Sequence, residues 1–340
     1  MASAVASYLL RSRTHAIAVQ GGYGLVALAG AGLLAQIPSL ATMLLCLSGL
    51  PLALVTLRRG AGEGALVGLG GGLGTALVVG LVLGNPLMGV LLGLSLGFSL
   101  WGPLWLAAIV LRRHREQGLA LCVLAVTTVL TSTGMGIGTA DLAAIWHQVP
   151  VAQRPKGVDE TVFVAAMELA TVHFGAWILC GLEIALLWAR RWQAELVFPG
   201  GFEREFLALR LPLWFLALVV GAALLALLPW ADPRPEVLAI LLVVLCCFLF
   251  QGVAAAHGLA LRRPLSRWWL AALYGTLIFA VPVALPFLAA LGIADLVLDL
   301  RGLRRQVGAG PDAGDPDAGD PGAGDDGAGG GPGDVGPVNR

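Results

Sequence analysis

Few side chains in this sequence could do chemistry, and most of them lie inside long apolar runs. Glu168 and His173 belong to the run Thr161–Trp188, with Glu183 nearer its basic end. An ionisable group is costly to hold at membrane depth, so each is a candidate for a functional role. Glu168 and His173 are about five residues apart, ~140° around a helix, and do not share a narrow stripe. An earlier run offers Thr127, Thr128, Thr131, Ser132 and Thr133; a later one holds Gln251 in its middle and His257 near its end. Together these groups could line a polar cavity for a small molecule. Glu168, His173, Thr128, Ser132 and Gln251 are the candidate ligand-binding residues. The alternative is structural: the hydroxyls bond carbonyls of their own helices and Glu168 finds a single partner.

Other chemistry finds little footing. No two of the candidate ligands are spaced i, i+3 or i+4, so a metal site is not expected. Cys46, Cys122, Cys180, Cys246 and Cys247 all fall in apolar runs, where thiols serve as small hydrophobes. Asp295 and Asp299, just before Arg301, read as a helix end capped by an Asp299–Arg301–Arg304 cluster. No phosphate-binding loop, nucleophile elbow or His-Glu-x-x-His occurs. The sequence therefore predicts no catalytic residues, no cofactor and no enzyme.

The elements that must position these residues follow from composition. Of 340 residues, 58% are apolar and 12% charged, about half the charge of a soluble domain. The apolar residues come in blocks of about 20, enough for a helix to cross a hydrocarbon layer ~30 Å thick. Only helices of that length satisfy their own backbone in lipid. The fold class is all-α, a polytopic transmembrane helix bundle over residues 1–307. Eight blocks read as spans: Ala16–Leu34, Leu40–Leu57, Gly64–Leu83, Leu87–Leu111 (kinked at Gly102-Pro103), Gly118–Ala140, Thr161–Trp188, Leu211–Trp230 and Glu236–Leu261. The last stretch, Trp268–Leu300, is interrupted by Pro282 and Pro286 and is expected to form a broken helix or a short hairpin.

Arginines close alternate blocks at Arg58, Arg112, Arg190 and Arg262, which puts those loops and the N-terminus on the cytoplasmic side. The expected location is the bacterial cytoplasmic (inner) membrane. A hairpin over Trp268–Leu300 would return Arg301, Arg304 and Arg305 to that side. Residues 308–340, with seven Asp and one Arg, have nothing to bury and are expected to be a disordered Gly/Asp/Pro-rich tail. No basic stretch is interleaved with aromatics, so the partner is the lipid bilayer and not nucleic acid.

Small residues recur at helical spacing: Ala27/Ala31/Ala35, Gly68/Gly72, Gly70/Gly74 and Gly89/Gly93/Gly97. Such rows let helix backbones approach closely, either within the bundle or against a partner. The Gly-rich Gly64–Gly84 after Leu50-Pro51-Leu52, the Gln251-Gly252 pair, and Leu291-Gly292-Ile293-Ala294-Asp295 with Asp299-Leu300-Arg301 together resemble the YybS-like family of predicted bacterial membrane proteins. That resemblance implies a distant similarity to substrate-binding subunits of energy-coupling-factor importers. It implies Ala27, Ala31 and Ala35 as a docking face, and coupling and ATPase subunits as partners.

Two functions are therefore open. One is binding or transport of a small molecule through a polar cavity among the fifth, sixth and eighth spans. The other is a non-transporting membrane scaffold or assembly factor that docks partners on Gly/Ala faces. A polar, solvent-connected pocket favours the first and a dry core the second.

Overall fold

In a computed structural model the chain is described over residues 2–34, 37–134, 142–148, 150, 158–197, 199–227, 235–262 and 268–303, and every regular element there is helical. The tail, with Arg304 and Arg305, lies outside these residues, as do Ala35, 135–141 and 228–234. Among the described residues, seven segments are long and apolar enough to cross a membrane: Arg13–Leu33, Ser39–Arg59, Ala61–Val82, Pro86–His114, Glu160–Val197, Glu236–Arg262 and Val281–Leu298. This set differs from the eight expected blocks. The fifth block is described as an apolar helix only over Gln117–Thr133, and the seventh as a helix of 15 residues, Leu213–Leu227. Conversely, the stretch expected to be broken holds one helix of membrane length.

The chain opens with α1 (Ala2–Leu9) and α2 (Arg13–Leu33), the latter capped by Ser12 accepting from the His15 N–H. The second apolar block is split into α3 (Pro38–Leu47) and α4 (Leu50–Arg59). Pro51 causes the split, because it has no N–H for the helical ladder and its ring crowds the preceding turn. One further ladder bond is opened there, and a side chain from α2 replaces it. Gln20 Nε2 donates to the Ser48 carbonyl at 3.1 Å, and the Leu52 N–H donates to Gln20 Oε1 at 3.0 Å. The amide thus stands in for the missing Leu52-to-Ser48 bond. Regular bonding resumes with Ala53 N–H to the Gly49 carbonyl at 3.0 Å. Ser48 Oγ donates to the Leu45 carbonyl and accepts from Trp101 Nε1 at 2.9 Å, so the hydroxyl at the kink is satisfied as well.

α5 (Ala61–Val82) and α6 (Pro86–Leu96) form a hairpin across Asn85, which caps α6 by accepting from the Met88 N–H. Gly89 and Gly93 of α6 lie on Gly72, Ala76 and Gly80 of α5, so closely that a Cβ on either would overlap the facing helix. The expected kink near Gly102-Pro103 takes the form of a π-helical turn, Gly97–Trp101, leading into α7 (Gly102–His114). The turn closes with Gly102 N–H on the Gly97 carbonyl, the wider spacing that a proline next in line accommodates.

α8 (Gln117–Gly134) and the short α9 (Leu142–Gln148) lead to α10 (Glu160–Val197), the longest helix at 38 residues. Its buried residues run from Gly175 to Ala194, whereas Glu160–Phe174 has none. α11 (Gly201–Leu207) and α12 (Leu213–Leu227) precede α13 (Pro235–Arg262). The C-terminal stretch consists of α14 (Trp268–Phe279) and α15 (Val281–Leu298), parted at Ala280. Pro282 starts a new helix there, its fixed φ being compatible with a first turn. α13 and α15 run in the same direction. Phe248 and Gly252 lie on Gly292 and Leu288, Gln251 meets Asp295, and Arg301 reaches back to Gly258.

The arginine-rich helix ends gather at one end of the bundle, and there they cap carbonyls. Arg112 donates to the Leu57 carbonyl at 3.0 Å, Gln193 to the same carbonyl at 3.0 Å, Arg59 to the Leu10 carbonyl and Arg262 to the Arg301 carbonyl. Arg13 pairs with Glu63, and Arg190 with Glu205. Residues that set orientation in the sequence thus also satisfy helix ends, whose last carbonyls have no partner within the helix.

Candidate functional site

The five candidate ligand-binding residues are not brought to one place. Glu168 is exposed and makes no hydrogen bond or ion pair with any described residue. The sequence reading groups it with the hydroxyls of the fifth span in one polar cavity. α10 explains the difference: it is too long for its first residue to mark the membrane surface. Counted back from Arg190, Glu168 is about 22 residues away, or ~33 Å, which already spans a hydrocarbon layer of ~30 Å. Glu168 therefore belongs to the level of the opposite interface. Replacing it with glutamine is expected to leave the thermal stability of the purified protein within ~0.5 kcal/mol of wild type, as for an ordinary surface change. A larger loss in a melting assay would mean a partner for this carboxylate.

His173, one turn deeper, is half-buried. Its Nδ1 donates to the Leu169 carbonyl of its own helix at 2.7 Å, and its ring lies 6.1 Å from that of Trp177. Thr128 and Ser132 do face α10, across from Gly175, where a Cβ would meet both. Gly175 is about seven residues, or ~10 Å along the helix, from Glu168. Ser132 Oγ donates back to the Thr128 carbonyl at 2.8 Å; Thr131 and Thr127 do likewise to carbonyls four residues earlier. Thr128 is fully buried and its Oγ1 has no partner among the described residues.

Gln251 is buried and fully engaged in structure. Its Oε1 accepts from the Leu211 N–H at 2.9 Å, and its Nε2 donates to Asp295 Oδ2 at 3.1 Å. Asp295 in turn takes two bonds from Arg301, at 3.0 and 2.6 Å. Both charged side chains are 2% exposed. Arg301 spends its remaining donors on the carbonyls of Leu207 and Leu209, and Arg210 binds Asp299 at 2.9 Å and the Leu296 carbonyl. The expected Asp299–Arg301–Arg304 cap is therefore a different pairing. Asp299 turns to Arg210 because it occupies the left-handed residue that ends α15 (φ 52°), while Arg301 returns to Asp295.

A second buried polar pair was not foreseen. Glu183, fully buried on α10, accepts from Gln117 Nε2 at 2.6 Å through Oε1, and its Oε2 has no partner among the described residues. The two networks adjoin, since Gly118 abuts the Arg210 carbonyl so closely that no Cβ fits between them. A polar seam thus crosses the bundle near its arginine-rich end, from Glu183 through Gln117 to the 210–211 loop, Gln251, Asp295 and Arg301. The sequence carried a signal for it: Gln117, Glu183 and Asp295 each lie within about two turns of an arginine that ends a block.

The cavity between helices is of another kind. A groove of about 410 Å³ lies among α8, α12 and α13, lined by Ala125, Val129, Phe215, Ala217, Gly221 and Val243, with only apolar side chains on its walls. It is partly open, with Val126, Leu130 and Leu218 exposed along it, and Val243 of its wall and Thr128 both abut Gly175. The five cysteines are free thiols, four of them buried, and no group of three His, Cys, Asp or Glu among the described residues could hold a metal ion. Of the Ala27/Ala31/Ala35 row, Ala27 is buried by the chain's own helices, Ala31 is half-buried and Ala35 lies outside the described residues. No protein family, curated protein or solved structure matches the chain.

Proposed function

We propose that this chain is a non-transporting scaffold of a bacterial inner membrane, which receives a transmembrane helix of a partner protein in the groove among α8, α12 and α13. One observation carries the reading. The amides of Gln20 and Gln251 and the carboxylate of Asp295 are spent on joining the chain's own helices, while the groove is apolar and partly open, with Val126, Leu130 and Leu218 exposed along it. Ala125, Ala217 and Gly221 give its walls the small residues that let a foreign helix approach; at Gly221 a Cβ would meet nothing within 4 Å. With Ala27 already covered, the groove is a better partner surface than the alanine row, and coupling or ATPase subunits are not required by it. In the same proposal the chain has eight spans and a C-terminal hairpin, with its N-terminus cytoplasmic. The shared direction of α13 and α15 supports the hairpin, since α14 must then return the chain between them.

A photo-crosslinking residue at Leu218, in native membranes, tests this. The expected result is a discrete protein adduct at Leu218 and lipid adducts alone at Leu69, an exposed position on α5. Lipid adducts alone at both positions would overturn the scaffold reading. One observation favours transport instead: the unpartnered Oε2 of Glu183 and Oγ1 of Thr128 are buried polar atoms without a structural use. Proton flux in proteoliposomes that is lost in Glu183→Gln would decide for it.

A further inference from the structure

We infer that the ends of α4 and α7 form a headgroup site for an anionic phospholipid. Five arginines meet there, and the structure divides them into two sets. Arg59, half-buried, and Arg112, itself exposed, are engaged in capping the carbonyls of Leu10 and Leu57. Arg58, Arg113 and Arg115 point outward, exposed, with no carboxylate paired to them among the described residues. The bond from Arg112 to Leu57 fixes the two helix ends side by side, which brings the exposed Arg58 of one end and the exposed Arg113 and Arg115 of the other to the same end of the bundle. Two acidic residues are near. Glu63 is taken by Arg13, and Glu116 is exposed beside Arg115, which leaves this end strongly positive.

Two further features match a lipid better than a free anion. Arg113 stands above Leu106, Ile109 and Val110, the half-buried to exposed face of α7. At spacings of seven, four and three these residues form one stripe, so an acyl chain can lie along it beneath the headgroup. Trp105, one residue from the stripe, donates its indole N–H to the Ala61 carbonyl at 3.0 Å, the amphipathic placement typical of a membrane interface. Arg115 also occupies the left-handed position that closes α7 (φ 58°, ψ 20°). Glycine takes that conformation freely and arginine does not. Arginine at a position where glycine would be less strained puts a guanidinium at this helix end, and its planar fork suits a phosphate.

The test uses the full chain in detergent, with its melting temperature and lipid affinity followed on adding phosphatidylglycerol, phosphatidylcholine or inorganic phosphate. Phosphatidylglycerol is expected to bind more tightly than phosphatidylcholine and to raise the melting temperature. The triple change Arg58→Gln, Arg113→Gln, Arg115→Gln should remove roughly a hundredfold in affinity for the anionic lipid, about fivefold per arginine. Arg115→Gly is the sharper variant: its melting temperature without lipid should equal or exceed that of wild type, while its affinity for phosphatidylglycerol falls. Equal affinity for the two lipids, the same stabilisation by phosphate alone, or an unchanged affinity in Arg115→Gly would each overturn the inference.

Discussion

Asp295→Leu is expected to be among the most damaging single changes in the chain, costing about 3–5 kcal/mol, the usual range for one partner removed from a buried ion pair. Arg301 would be left buried and charged, still held by the carbonyls of Leu207 and Leu209 but without its counter-ion. Gln251 would lose its acceptor as well. The expected readout is loss of the monodisperse peak in size-exclusion chromatography, or a large fall in the midpoint of unfolding by a denaturing detergent. The double variant Asp295→Leu, Arg301→Met should recover much of the loss, because a well-packed apolar pair avoids the desolvation of both charges. Arg210→Ala, whose pair with Asp299 is partly exposed at 18% and 14%, should cost far less. If Asp295→Leu behaves like Arg210→Ala, Arg301 is satisfied by carbonyls alone and the seam is not what joins α11, α13 and α15.

Gly252→Ala and Gly22→Ala are expected to shift stability in opposite directions. A methyl group on Gly252 would enter the Leu288 backbone carbonyl, and α15 can make room only by moving as a whole. Overpacking of this kind costs about 1–3 kcal/mol, and more where the neighbour is backbone, because no side chain can rotate away. Gly22, on α2, has nothing within 4 Å of such a methyl, so alanine there brings a gain in helix propensity of up to ~1 kcal/mol. Thermal melting of the two variants in one detergent checks both signs. A stabilising Gly252→Ala would mean that α13 and α15 are further apart than their glycines require.

Some of this was legible in the sequence and some was not, for physical reasons. Apolar block length predicted helices of membrane size, because the bilayer imposes one dimension on every span. Glycine spacing predicted close helix approach, and the α5–α6 pair has it. Direction of a side chain around a helix was not legible, and Glu168 is the example: its place in an apolar run suggested burial, yet it is exposed, on the half of α10 that has no buried residue. Amide residues were undervalued for a similar reason. A glutamine in an apolar run reads as a possible ligand contact, but Gln20 and Gln251 complete backbone bonds opened elsewhere, and nothing local in the sequence marks which carbonyl will need them. Arg301 could be paired with Asp299 by proximity in the chain; the left-handed turn at Asp299 sends the two apart.

The amide that closes the kink beside Pro51 also bears on the order in which the protein can be completed during synthesis. Gln20 leaves the ribosome before Ser48 and Leu52, so the second span meets its missing hydrogen-bond partner already in the membrane. Gln251 is placed the other way round. Its acceptor Asp295 is 44 residues downstream, and Arg301, which neutralises that acceptor, emerges later still. The kink of the second span can therefore be satisfied while translation continues, whereas α13 must wait with the Gln251 amide half answered, its oxygen met by Leu211 but its N–H without Asp295, until almost the whole membrane domain has been made. Insertion factors that shield polar side chains in the bilayer would act on this chain late, on its last spans, rather than early.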